Sequence, residues 1–246
     1  MFEIHINSTD TVLLQFKQEI SPEINSQVLS VKESLQKAKE NFEILGIEEV
    51  VSAYCSLLIY YNPLKISLKS LCEFLENIKK EKINTEKKNF LCIKIPLCYD
   101  EEFGIDLDFV CSHTKLSKEE LIKLHTSPFY RIYMLGFMAG FAYLGGLDKR
   151  LFTPRLASPR TLIEAGSVGI ADKQTGIYPI QSPGGWQIIA RSPLNFFDKT
   201  NENKPVFLEA GMFLKFESID KKNFFEMKEA VEKNAYKREV YEYKDN

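Results

Sequence analysis

Two arginines, Arg155 and Arg160, flank the tetrapeptide Leu-Ala-Ser-Pro, and a proline precedes each of them. A guanidinium presents a planar fork that matches a carboxylate or phosphate. Two forks on a proline-stiffened loop predict an anion clamp, with surface arginines that bind nothing as the alternative. Further along stand Gln174-Thr175-Gly176-Ile177-Tyr178-Pro179 and Ser182-Pro183-Gly184-Gly185-Trp186. Gln, Thr and Tyr offer neutral hydrogen bonding for a small polar ligand, and Trp186 an apolar wall with one donor. A pair of β-turns with Trp186 in the core accounts for the same words. His125 has the residue type of a general acid/base; as the end of a helix it is equally a dipole-stabilised cap.

These residues share one stretch of chain. Nine of the twelve glycines lie between Gly136 and Gly185, and five of the six arginines between Arg131 and Arg191. Glycine permits positive φ and close approach of a backbone to a ligand, so the stretch is expected to form a loop-built ligand site on a β scaffold. Gly136–Gly146, GFMAGFAYLGG, lacks the GK[ST] of a P-loop and the spacing of a dinucleotide fingerprint. It offers either an anion-holding turn or tight barrel corners. The five cysteines form no CxxC pair and there are three histidines. Buried free thiols in a reducing cytoplasm are therefore expected, and no metal site. A net charge of −2 gives no reason to expect nucleic acid or an anionic membrane as partner. No apolar run approaches the length of a bilayer span, and the N-terminus has no secretory pattern.

The elements that must position these groups fall into two domains, 1–88 and 89–246. The first reads β-β-α-β-α, a small α/β sandwich with helices on one face of its sheet. FEIHI and TVLLQF are its first strands, and Ser21 caps a helix with Pro22 at its first position. Ile24, Val28, Val31, Leu35 and Ala38 stripe that helix at 3.6-residue period. VVSAYCSLLIYY is a third strand ending at Asn62-Pro63, and Ser67 caps a second helix. The charged run 79–89 reads as a linker. Beyond it come the strand FLCIKIPLCY, a helix near Asp106–His113, and another capped by Ser117 with Glu120 in a capping box. After Pro128, short strands broken by Gly and Pro predict a barrel or sandwich. GMFLKFES closes it, and a charged helix at about Asp220–Asn234 and a polar tail follow.

Together the ordered words IKIPLCY, ELIKLHTSPFYRIYMLGFMAGFAYLGGLDKRL, TPRLASPR, AGSVGIADKQTGIYP, SPGGWQIIARSPLNFFD and GMFLKF resemble the 5-oxoprolinase B-subunit family. That family also carries the labels allophanate hydrolase subunit 1 and Kip-type histidine-kinase inhibitor. The resemblance implies an α+β protein, an N-terminal α/β domain followed by a cyclophilin-like β-barrel. It implies ATP, with Mg²⁺, bound jointly with a partner; the C and A subunits of 5-oxoprolinase as partners; and 5-oxo-L-proline opened to L-glutamate. Carried over word by word, His125, Gln174 and Tyr178 are the candidate catalytic residues. Arg155, Arg160, Ser167, Thr175, Gly184, Gly185 and Trp186 are the candidates for binding substrate or phosphate. The alternative the labels imply is a protein-binding inhibitor of a sporulation-type sensor histidine kinase. The chain departs from the family's pattern at Ala139, where Pro is usual, at Glu164, and at Asp172, where Gly is usual. Glu164 and Asp172 oppose anion binding if they face the site.

Overall fold

The computed structural model describes residues 2–80 and 90–244, which fall into two compact units, Met1–Lys88 and Asn89–Asn246. Most of the expected linker, residues 81–89, lies outside the described residues. Its first two residues, Lys79 and Lys80, end a helix instead.

In the first unit, strands β1 (Glu3–Ile6) and β2 (Thr11–Gln15) precede helix α1 (Pro22–Glu40). Strands β3 (Ile47–Ser52) and β4 (Ser56–Tyr61) precede helix α2 (Leu68–Lys80). The segment read as one strand, VVSAYCSLLIYY, is therefore a hairpin, because Ala53-Tyr54-Cys55 turns the chain between β3 and β4. A continuous β-rich run gives no periodicity signal at such a turn. The sheet is antiparallel in the order β1-β2-β4-β3. Strand alternation puts Val12, Leu14, Leu57 and Ile59 on the face that meets Val28, Val31 and Leu35 of α1 and Leu71 and Leu75 of α2. Ser21 caps α1 by accepting from the Ile24 N–H, and Ser67 accepts from the Ser70 N–H at the start of α2. Each cap satisfies a donor the helix leaves open, worth about 1 kcal/mol.

The second unit is a closed barrel. Its strands are β5 (Phe90–Cys98), β6 (Phe129–Leu135), β7 (Ala142–Gly145), β9 (Ser167–Ala171), β10 (Gln174–Ile177), β12 (Gln187–Arg191) and β13 (Phe213–Ile219). The order β12-β9-β10-β7-β6-β13-β5 is closed by pairing of β12 with β5 at Arg191 and Cys98. Only β5 and β13 run parallel. Helices α3 (Leu107–Thr114) and α4 (Lys118–Thr126) lie between β5 and β6 in sequence, and α4 starts at the expected capping box. Strands β8 (Arg160–Ile163) and β11 (Ser182–Gly184) form a separate two-stranded flap. After helix α5 (Lys221–Glu232), the expected polar tail yields one more strand, β14 (Val240–Tyr243), antiparallel to β5. Tail polarity hides that strand, since its few apolar residues are set among charged ones.

The barrel interior holds Ile95, Leu97, Tyr130, Ile132, Leu144, Val168, Ile170, Ile189 and Leu214, while Phe141, Ile163, Ala171, Tyr178, Trp186 and Ile188 form a second cluster. Ile170 and Ala171 are neighbours on β9 and belong to different clusters, so the second cluster lies on the outer face of the strands. This α+β architecture, a small α/β domain and a closed barrel, is the one the resemblance implies.

Candidate functional site

The ten residues expected to share one site divide between the two faces of the barrel wall. His125 and Thr175 lie inside, both 0% exposed. Tyr99 Oη is 2.6 Å from His125 Nδ1, and His125 Nε2 is 3.0 Å from Thr175 Oγ1. The Thr175 hydroxyl donates to the Gly169 carbonyl. Its oxygen must then accept from His125, which puts the imidazole proton on Nε2 and leaves Nδ1 to accept from Tyr99. Burial alone lowers the His125 pKa from 6.5 to about 3, and burial also raises that of Tyr99. The Tyr130 hydroxyl donates to the His125 carbonyl, and the His125 ring stacks on Phe216 at 4.9 Å. His125 is therefore a sealed, neutral core residue. Helix α4 ends against the barrel and carries the imidazole inward instead of capping in water, so in this structure both ring nitrogens of the expected acid/base are engaged by Tyr99 and Thr175.

The outer face explains the glycines. Gly169 of β9 and Gly176 of β10 are directly opposed partners. A Cβ on Gly169 would lie 3.0 Å from Trp186 Cβ, and one on Gly176 would lie 2.9 Å from Trp186 Cζ3. Together they form a shelf on which the indole rests, 5% exposed and edge-on to Phe141 at 5.4 Å. Gly184 makes the same concession to Tyr178, whose Oη would lie 2.3 Å from a Cβ there. Tyr178 is 1% exposed. Burial raises its pKa to about 12, against a hydrogen bond with the Trp186 backbone. It is thus a protonated buttress under the Gly184–Trp186 turn. Within Gly136–Gly146, read as an anion-holding turn or tight barrel corners, the Gly136 N–H donates to the Phe141 carbonyl across the turn joining β6 to β7. The expectation that these glycines open backbone to a ligand gives way to close packing under aromatic rings. Gly185 is different, since the nearest atom to an added Cβ is 3.7 Å away.

The two arginines of the expected clamp take different roles. Arg160, at the start of β8, makes two hydrogen bonds to Asp106, at 2.9 and 2.5 Å. The same carboxylate accepts from the Ile188 N–H at 2.7 Å. Asp106, 7% exposed, thus fixes the flap and β12 to the N-terminus of α3, and the guanidinium of Arg160 is committed. Asp106 is not among the residues expected from the sequence. Its partner lies 54 residues away, and no local pattern signals such a pair. Arg155 stays open, with its side chain 56% exposed. Its Nε lies 3.4 Å from Asp172 Oδ2, longer than a good hydrogen bond. Its guanidinium sits 5.9 Å from the Trp186 ring centre, within cation–π range. Asp172 has φ 53° and is held by a β-bridge to Thr153.

Ser167, 4% exposed, sits in the β9 wall, where its carbonyl accepts from the Tyr178 N–H. Its burial removes it from any ligand-facing surface. Gln174, half-buried, opens β10 two residues after Asp172. Gln187 lies beneath this region, 2% exposed. It donates through Nε2 to the Pro154 carbonyl, while its Oε1 is the one buried side-chain polar atom without a hydrogen-bond partner among the described residues. Arg155, Asp172, Gln174 and Gly185 are the partly or fully exposed residues of this surface, with the buried Trp186 behind Arg155. Among the described residues no cluster of three or more His, Cys, Asp or Glu could hold a metal ion. The cysteines are free, with Cys92 and Cys98 buried and Cys55, Cys72 and Cys111 half-buried. No helix among the described residues is long and apolar enough to cross a membrane.

The carboxyltransferase domain family, subdomain C and D, matches residues 2–208. A Bacillus subtilis (strain 168) protein named as the B subunit of 5-oxoprolinase is 36% identical over 238 residues, covering 93% of this chain and 97% of its own length. The crystal structure of TTHA0988 matches with a TM-score of 0.74 and 33% identity over 85% of this chain, which spans 40% of that longer protein. The urea carboxylase of Kluyveromyces lactis shares the fold, with a TM-score of 0.79 at 19% identity over 98% of this chain and 24% of its own. With one family matched along most of its length and a relative matched nearly end to end, the chain belongs to the 5-oxoprolinase B-subunit family.

Proposed function

We propose that this chain is a component of an ATP-dependent 5-oxoprolinase that opens 5-oxo-L-proline to L-glutamate with the A and C subunits as partners, and that it is inactive alone. The observation that carries the reading is the one-sided surface at Arg155. It offers one largely exposed cation, Arg155, held only by a long contact to Asp172 and backed by Trp186, and a half-buried amide at Gln174, while Arg160 and His125 are held elsewhere. That is half of a site, and a partner's surface would complete it.

The chemistry calls for two halves. A lactam is a poor electrophile. Transfer of a phosphoryl group from ATP to its oxygen, with ADP leaving, would activate the carbon, and water would add there. The ring C–N bond would break with a proton delivered to the nitrogen, and the acyl phosphate so formed would be hydrolysed to the carboxylate and phosphate. The phosphoryl oxygens then need several cationic or metal partners, and the lactam needs to be held dry and oriented. The residues present fit one anionic group at Arg155. ATP with its Mg²⁺ would be bound jointly with the partner, whose surface would supply the further groups a triphosphate needs. Arg155 and Gln174 would orient the ligand, with Gly185 leaving room for it, and Tyr178 and Trp186 would hold the shape of the wall.

The test is ATP-dependent release of glutamate from 5-oxoproline by the three subunits, each left out in turn. Loss of activity without this chain, and a fall of tenfold or more in Arg155→Ala or Gln174→Ala, is the expected result. Full activity without it removes the assignment and makes inhibition of a sensor histidine kinase the reading to pursue.

A further inference from the structure

Asp172 has a backbone reason and a chemical consequence that are separable. At φ 53° the position suits Gly, Asn or Asp, the residues that enter the left-handed region most readily. Of these, only Asp brings charge. The bridge between Asp172 and Thr153, with the Asp172 N–H donating to the Thr153 carbonyl, fixes the carboxylate beside the loop that carries Arg155 two residues later. The backbone of Asp172 is therefore set in place, and its carboxylate forms an ion pair with the Arg155 guanidinium at 3.4 Å.

We propose that Asp172 is a specificity-determining residue that makes the Arg155–Trp186 surface a site for a small monocarboxylate and turns phosphoryl groups away from it. Asp172 approaches Arg155 through Nε alone, so an anion that takes the guanidinium through its terminal NH2 groups binds with the Asp172 carboxylate beside it. The bridge keeps the Asp172 backbone close to Arg155, and its carboxylate repels a bound anion in proportion to charge. With Arg155 alone a phosphate dianion would gain twice the attraction of a monocarboxylate, and Asp172 cancels that advantage because its repulsion doubles as well. Resting on the oxoprolinase reading, this assigns the carboxylate of the lactam to Arg155 and the nucleotide to another surface.

Trp186 is the sole tryptophan and lies under Arg155, so its fluorescence reports occupancy of this site. The full chain would be titrated at constant ionic strength with acetate, 5-oxoproline and inorganic phosphate. Wild type, Asp172→Asn, Asp172→Gly and Arg155→Met would be compared. Wild type should respond to phosphate at no lower concentration than to the two carboxylates. Asp172→Asn, which keeps the turn, should tighten phosphate by about fivefold, the scale of an exposed ion pair, and the carboxylates by about twofold. Arg155→Met should respond to none. Equal gains for all three anions, no gain for any, a wild-type preference for phosphate, or no response in any variant would overturn the proposal. Asp172→Gly separates a charge effect, which it shares with Asn, from a backbone effect, which it does not. Acetate selectivity on the chain alone is independent of the three-subunit assay, so either reading can fail while the other stands.

Discussion

The two faces of the barrel wall carry the same kinds of residue and put them to opposite use. Inside, the thread Tyr99–His125–Thr175–Gly169 satisfies every polar atom it contains and reaches no solvent. Outside, Arg155 leans on Trp186 with one long contact to Asp172 and more than half its side chain in water. Residue type suggests chemistry in both places. Accessibility and uncommitted donors leave it in one.

The strongest way to break this contrast is to empty the interior. His125→Ala removes a packed ring and strands the Tyr99 hydroxyl and the Thr175 acceptor, which should cost about 3–5 kcal/mol in chemical denaturation. A loss below about 1 kcal/mol, the scale of a single net hydrogen bond, would mean that the thread is not structural. Next is the tie that holds the flap. Asp106→Ala leaves the Arg160 guanidinium and the Ile188 N–H without their acceptor, and a loss of about 2–4 kcal/mol is expected. Arg160→Met should cost less than Asp106→Ala if Asp106 is the hub.

Acid sharpens the contrast. The folded-state pKa of His125 is depressed to about 3 from 6.5, so the unfolded chain binds a proton the folded one refuses. Stability is full above pH 6.5 and falls by about 1.4 kcal/mol per pH unit down to about pH 3. At pH 5 the loss from this residue is about 2 kcal/mol. A His125→Gln variant should lose that slope, as measured by denaturant midpoints between about pH 7 and pH 5. The smallest effect belongs outside. Gly176→Ala presses a methyl on the indole and the Ala142 carbonyl and should cost about 1–2 kcal/mol with a shifted Trp186 emission. An unshifted emission would remove the shelf as the reason for that glycine.

The fold was largely legible in the sequence because its signals are local. The Ser21-Pro22 cap, the stripe from Val28 to Ala38 and the Ser117–Glu120 box depend on residues within a few positions of each other, and each appears where expected. The hairpin hidden in residues 47–61 and the strand at Val240–Tyr243 were missed because neither carries its own turn or periodicity signal. The site was less legible. Arg155 and Arg160 are close in sequence and identical in type, and what separates them is Asp106, near in space and 54 residues from Arg160 along the chain. The glycines misled in a consistent way. Room for a ligand and room for Trp186 demand the same residue, and only the register of Gly169 against Gly176 distinguishes the two.

The pairing of β14 with β5 carries a consequence for how such a barrel can be built into larger proteins. Tyr243 sits directly across from Phe90, so the places where the chain enters and leaves the barrel are adjacent rungs of one ladder. A module whose entry and exit are side by side can be spliced into a longer polypeptide with short connectors and little distortion. It also tolerates having its ends joined and its chain opened elsewhere. A circular permutant opened in the exposed Asp198–Asn203 loop and closed by a few glycines between residues 244 and 90 is expected to fold with the same barrel.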